Sequence, residues 1–140
     1  MKILLPVDGS DYTKRMLGYV AAHEEMFGTK HDYLACTVVA PMAAHVTRFL
    51  SRDAIEDYHH SEVDEVLRPV RAFAAQNGWT LRELHAVGYP AESIAALADK
   101  ERAELIVMGS HGHGAFAGLV LGSVATGVVA RCKVPVLLVR

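Results

Sequence analysis

A chain of 140 residues, 51% of them hydrophobic, has the size of one ordinary domain, which buries about two-thirds of its unfolded surface without staples. A formal net charge of −2 excludes the broad electrostatic attraction to nucleic acid that a basic domain shows. Cys36 and Cys132 have neither CxxC nor zinc spacing and no apolar run approaches the ~20 residues of a membrane span, so a reduced, cytoplasmic chain without membrane insertion is expected.

The start, Lys2-Ile3-Leu4-Leu5-Pro6-Val7, lacks a signal-peptide layout and reads as a strand over residues 3–7. Asp8-Gly9-Ser10-Asp11 supplies a turn and N-cap candidates. A helix follows with Met16, Leu17, Val20, Ala21 and Phe27 on one stripe, stopping near Gly28. Residues 33–39 form a second apolar run closed by Pro41, and residues 42–51, without a period, read as a loop. Residues 53–76 read as a helix with Ile55, Val63, Val66, Leu67, Val70 and Phe73 inward and Asn77-Gly78 as its stop; Pro69 is expected to kink or divide it.

Residues 81–87 alternate more than the other strands, as an edge strand does. Gly88-Tyr89-Pro90 turns the chain into a helix with Pro90 near its first position and Ile94, Leu97 and Ala98 inward. Leu105-Ile106-Val107-Met108 is a fully apolar strand running into Gly109-Ser110-His111-Gly112-His113-Gly114. A last helix is predicted from Gly122-Ser123 towards Arg131, and a last strand over residues 135–139. Nothing divides the chain, so one domain over residues 1–140 is expected. Strands alternating with helices imply a Rossmann-like α/β fold: an open, twisted parallel sheet with helices on both faces. Its ligand crevice lies beyond the carboxyl ends of the strands where their order reverses, which makes Asp8 and the loop after Met108 neighbours.

That loop has the composition of an anion site. Phosphate needs clustered donors, and Gly109 and Gly112 let backbone N–H groups approach without a Cβ in the way. After nine intervening residues, Gly122-Ser123 opens a helix whose free amides and macrodipole favour an anion by about 0.3–1 kcal/mol. No Asp or Glu occurs from residue 105 to residue 140, although a buried C-terminal third would also be poor in carboxylates. Competing motifs fail: there is no GxxxxGK[ST] and no GxSxG. Gly112-His113-Gly114-Ala115-Phe116-Ala117 satisfies GxGxxA but lacks the acidic residue some 20 positions on.

Taken together, Leu5-Pro6-Val7-Asp8-Gly9-Ser10, Gly88-Tyr89-Pro90, residues 105–112, the GxxG followed after nine residues by Gly-Ser, and the ending Val134-Pro135-Val136-Leu137-Leu138-Val139-Arg140 make the chain resemble the universal stress protein family, in its ATP-binding branch. The resemblance covers essentially the whole chain. It implies a five-stranded parallel sheet in the order 3-2-1-4-5 with a nucleotide at its switch point. By position, Asp8 would contact the nucleoside and help place a metal, and Pro6, Val7 and Val38 would line an adenine pocket. Gly109, Gly112, Gly122, Ser123 and Val124 would hold ribose and phosphates, with Met108, Ser110, His111 and His113 in the same site. The implied ligand is ATP, alone or with Mg or Mn, with AMP or ADP as alternatives. Glu104 stands where the family often has Asp, outside the clamp.

Plainer readings stand beside these. Asp8 and Ser123 are also ordinary helix caps, and the glycines also suit an empty tight turn. His111 and His113 lack a third metal ligand, so no metal site from protein alone is expected, and no catalytic residue is assigned. His59 and His60 are placed on the outer face of a helix, and Cys36 in the core. The leading function is an ATP-binding regulatory stress-response protein whose occupancy modulates conformation, assembly or partner binding. The alternatives are a slow Mg-dependent ATPase or phosphoryl-transfer enzyme, and a nucleotide-free protein-interaction module with an unidentified protein partner. Were His111 and His113 to face the phosphates, ATP would bind more tightly at pH 6 than at pH 8. A homodimer through the exposed C-terminal edge, Val134, Val136, Leu137, Leu138 and Val139, is also expected.

Overall fold

The computed structural model describes residues 1–114, 116 and 118–140, so two members of the GxGxxA reading, Ala115 and Ala117, lie outside the described residues. Among those described, strands β1 (Lys2–Pro6), β2 (Asp32–Val39), β3 (Thr80–Val87), β4 (Leu105–Gly109) and β5 (Val136–Val139) form one parallel sheet in the order β3-β2-β1-β4-β5. The chain winds outward from β1 to β3, then returns past β1 to β4. Neighbours β1 and β4, paired at Ile3 with Leu105 and Leu4 with Ile106, therefore send their crossovers to opposite sides and leave a crevice beyond their carboxyl ends.

Side-chain alternation builds a core on each face of the sheet. Ile3, Leu5, Val7, Tyr33, Ala35 and Val107 point to one side, against Met16, Leu17 and Val20 of α1 (Asp11–Ala22) and Val63, Leu67, Val70 and Ala74 of α4 (Arg52–Gln76). Leu4, Leu34, Cys36, Ile106 and Met108 point to the other, against Ile94 and Ala98 of α5 (Pro90–Glu101) and Ala125 and Val128 of α6 (Ser123–Arg131). Each central strand is covered twice, which is why its sequence reads as an unbroken apolar run. The outermost strand β3 has no fully buried residue, and its alternation follows from that position.

Local chemistry accounts for the departures from the sequence reading. The first helix is split: α1 ends at Ala22, where His23 Nδ1 donates to the Tyr19 carbonyl at 2.8 Å, and α2 (Glu24–Phe27) follows. Gly28 ends the segment because a Cβ there would lie 2.8 Å from the Glu24 carbonyl oxygen. Within residues 42–51, expected as loop, α3 (Ala44–Thr47) forms one turn; it buries no residue, so no period betrays it. α4 is continuous through Pro69, which lies on its exposed face; the carbonyl of Glu65, also exposed, loses only a solvent-side bond while Val63, Leu67 and Val70 hold the buried face. His60 is exposed as expected, but His59 is half-buried with Nε2 unpaired among the described residues. No helix among the described residues is long and apolar enough to cross a membrane.

Candidate functional site

The chain leaves β1 at Pro6 and is tied to β2 by the Val7 amide, which donates to the Cys36 carbonyl at 2.8 Å. Asp8 then becomes the hub of the crevice. Its Oδ1 accepts from the Ser10 amide and the Thr13 hydroxyl, both at 2.9 Å, and its Oδ2 accepts from the amide of His113 at 3.2 Å. In return the His113 ring donates through Nε2 to the Asp8 carbonyl at 2.8 Å. Two loops 105 residues apart in sequence are thereby clipped together. Partial burial works against ionisation of Asp8, but the bonds from Ser10, Thr13 and His113 outweigh it and hold the carboxyl below the usual aspartate range. It is a carboxylate at neutral pH.

The β4 exit is shaped by close approaches. A Cβ on Gly109 would lie 2.7 Å from Tyr12 Cβ, and one on Gly112 only 2.5 Å from Asp8 Oδ2. Gly122 donates its amide to the Ser110 carbonyl at 2.8 Å, and a Cβ there would meet His111 Cα at 3.0 Å. The backbone thus brings the N-terminus of α6 against the β4 loop. Gly122 is the N-cap and Ser123 the first helical residue, which corrects the reading of Ser123 as a cap. The amides of Ser123, Val124 and Ala125 have no carbonyl within the helix to bond.

These elements enclose a cavity of about 330 Å³, a volume suited to a small organic ligand. Of the residues singled out in the sequence, Pro6, Val7, Val38, Met108 and Val124 give its wall apolar surface, together with Cys36. Asp8, His111, His113, Ser123 and the glycines at 109, 112 and 122 line it as well. Ser110 is the exception. It is fully buried behind the wall, donates its amide to the Val139 carbonyl at 2.8 Å, and sets its hydroxyl 2.8 Å from His111 Nδ1. Because His111 Nε2 faces the Leu119 carbonyl at 2.9 Å, Nε2 carries the proton and Nδ1 accepts from Ser110. His111 and His113 both line the cavity, with Nε2 of His111 on the Leu119 carbonyl and Nε2 of His113 on the Asp8 carbonyl, so neither offers that nitrogen to a ligand.

Sequence reasoning missed Thr13, Ile94, Pro90 and Leu119, which also line the cavity. Thr13 carried a readable signal, since an Asp followed five residues later by a helical Thr sets a hydroxyl over the carboxylate. Ile94 carried none, being one inward residue among several on its helix. Cys36 belongs both to the core and to the cavity floor; burial pushes its thiol up to about 12, so it offers no thiolate at neutral pH. Among the described residues no group of three or more His, Cys, Asp or Glu side chains is placed to hold a metal.

A doubly wound parallel sheet with a ligand-sized cavity at its reversal point defines a Rossmann-like α/β domain. The chain belongs to the universal stress protein family, which it matches over residues 1–140. It is 36% identical over 140 residues to a Thermus aquaticus universal stress protein, covering 99% of this chain and 97% of the relative. Among solved structures it resembles universal stress protein MJ0577 of Methanocaldococcus jannaschii, with a TM-score of 0.79 and 26% identity, over 99% of this chain and 94% of that one. It also resembles a universal stress protein solved in complex with cAMP, with a TM-score of 0.66 and 26% identity, over 100% of this chain and 96% of that one.

Proposed function

We propose that this universal stress protein binds an adenine nucleotide in the cavity between β1 and β4, in the cytoplasm, and that occupancy modulates its conformation, assembly or contact with a protein partner. The observation that carries this reading is one cavity lined both by an apolar set, Pro6, Val7 and Val38, and by the first turn of α6 with its unpaired amides. The first suits a flat base and the second a phosphate. The cAMP complex of a relative at 26% identity supports the same assignment. A slow ATPase is the weaker reading. The three hydrogen bonds that the Asp8 carboxylate accepts all come from its own fold, and among the described residues no second carboxylate lines the cavity to complete a metal site with it. Magnesium or manganese would therefore arrive on the nucleotide.

The test is to unfold freshly purified protein and identify released nucleotide by chromatography, alongside calorimetric titration with adenosine nucleotides. Released adenine nucleotide, or a saturable heat, is expected. Protein that carries none and gives no heat with any of them would leave the interaction-module reading in its place.

We further propose that β5 is a dimer edge. It ends the sheet, and Val136, Leu137 and Leu138 are only half-buried there, so a second copy pairing antiparallel would cover them. Sedimentation showing only monomer at micromolar concentration would reject this.

A further inference from the structure

We infer that the carboxyl end of the sheet is a docking surface for an anionic lipid bilayer, on which the protein rests without spanning it. All five strands are parallel, so the connections that leave them emerge at one end of the molecule. Three of these exits carry most of the exposed apolar surface. Val46, Phe49 and Leu50 follow β2, Val87 ends β3 with Tyr89 just beyond it, and Phe116, Leu119 and Val120 follow β4. These are eight of the twelve large hydrophobic side chains that the described residues expose. The other four, Met1, Met26, Tyr58 and Val129, lie ahead of β1 and on α2, α4 and α6. Single exposed hydrophobics are ordinary, whereas eight gathered at one end call for a partner.

The connection after β2 is ordered in a way that presents its apolar side chains. The amides of Val46 and Thr47 donate to the Ala43 carbonyl, and those of Phe49 and Leu50 to the carbonyls of Val46 and Thr47. In such turns residues three and four apart share a side, and Val46, Phe49 and Leu50 have that spacing. They do not pack on the fold: Phe49 is 82% exposed, and Tyr89 beyond β3 is 72% exposed. The exits of β3 and β4 stand three strands apart, about 14 Å at ordinary strand spacing. A bilayer takes up projecting side chains at all of these points, whereas a folded partner needs a matching pocket for each. Phe116 and Leu119 also line the cavity, so a bilayer seated here covers that side of it.

Charge selects anionic headgroups. From Tyr33 to Arg52 and from Leu105 to Arg140 there is no Asp or Glu. Arg48, beside Phe49, and Arg140, after β5, are exposed and without an ion-pair partner among the described residues. Of the carboxylates that open the helices at this end, Asp11 faces Lys14 at 3.7 Å, Glu92 faces Arg131 at 3.8 Å, and Asp53 follows Arg52. Arginines set beside projecting apolar side chains are the means by which a peripheral protein holds an anionic leaflet.

The experiment is co-sedimentation of the full chain with vesicles of phosphatidylcholine, with and without phosphatidylserine, repeated with Phe49→Ser, Tyr89→Ser and Arg48→Glu. All three sites are exposed, so each variant should keep the wild-type urea midpoint. The wild type is expected to partition about tenfold or more strongly onto the phosphatidylserine vesicles, and less so as salt is added. Each variant should lose severalfold in that partition. No partition of the wild type, or one that Phe49→Ser and Tyr89→Ser leave unchanged, overturns the proposal. Equal binding to both vesicle compositions overturns the anionic selection. Sedimentation without lipid, and titration with a synthetic acidic helix of Glu and Leu, test the other occupants. Self-association or peptide binding that Phe49→Ser abolishes, with vesicles left unbound, overturns the bilayer and gives the surface to a second copy or to an acidic protein partner.

Discussion

Replacing Gly112 by alanine isolates the contact that closes the crevice. A Cβ at this position lies 2.5 Å from Asp8 Oδ2, too close to coexist, so the carboxylate must rotate away and release the His113 amide. Losing a hydrogen bond to a charged acceptor costs about 1.5–3 kcal/mol, which for a chain of this length lowers Tm by roughly 5–12 °C. The backbone at Gly112 is not in the left-handed region, so alanine itself is tolerated and should stabilise by about 0.4–1 kcal/mol through the unfolded chain. The two effects separate in a double-mutant cycle with Asp8→Ala, measured by urea titration followed by circular dichroism. Gly112→Ala should destabilise the wild type and become neutral or slightly stabilising once the carboxylate is gone. Equal costs in both backgrounds would show that the steric contact with Asp8 is not what requires glycine.

Gly109→Ala should also destabilise, by about 1–3 kcal/mol, because its Cβ meets Tyr12 Cβ at 2.7 Å and the His111 carbonyl at 3.2 Å; an unchanged urea midpoint would refute that packing. Tyr33→Phe removes a buried hydroxyl that donates to the carbonyls of Phe27 and Gly28, and should cost about 1–3 kcal/mol in the same assay while leaving nucleotide affinity unchanged. Acid should weaken the Asp8 clip. Its carboxyl titrates below the ordinary 3.8, so the stabilisation it gives is complete above that value and is lost as pH falls through the lower folded value. Comparing wild type with Asp8→Asn by urea titration across pH 2–6, the stability difference should be constant at the upper end and shrink below about pH 4. A difference that grows on acidification would contradict the lowered pKa.

The fold was legible because the doubly covered strands leave long apolar runs and because the helices that cover them carry a period. Legibility failed where burial does not write a pattern. α3 buries nothing and so has no signature, while Pro69 stands on the wet face of α4 and interrupts a pattern without interrupting the helix. In the site, the residues at the two strand exits could be read because topology alone makes them neighbours. Their bonds could not: the ring of His113 lies on the Asp8 carbonyl and the Ser110 hydroxyl on His111, pairings set by three-dimensional loop geometry.

The glycines of the GxxG step show why that difference matters for function. Read along the sequence, Gly109 and Gly112 are small so that a phosphate can approach the backbone. In the fold, both are already required by protein neighbours, Gly109 by Tyr12 and Gly112 by Asp8. The motif is therefore explained by loop docking before any ligand is considered, and its presence counts less towards phosphate binding than its spacing suggests. The start of α6 is different. Gly122 brings that turn against Ser110, yet the amides of Ser123, Val124 and Ala125 that it presents have no carbonyl within the helix to bond, and all three residues line the cavity. Because Gly109 and Gly112 carry these docking contacts, substitutions along α6, rather than in the glycine loop, are where binding and stability can be told apart.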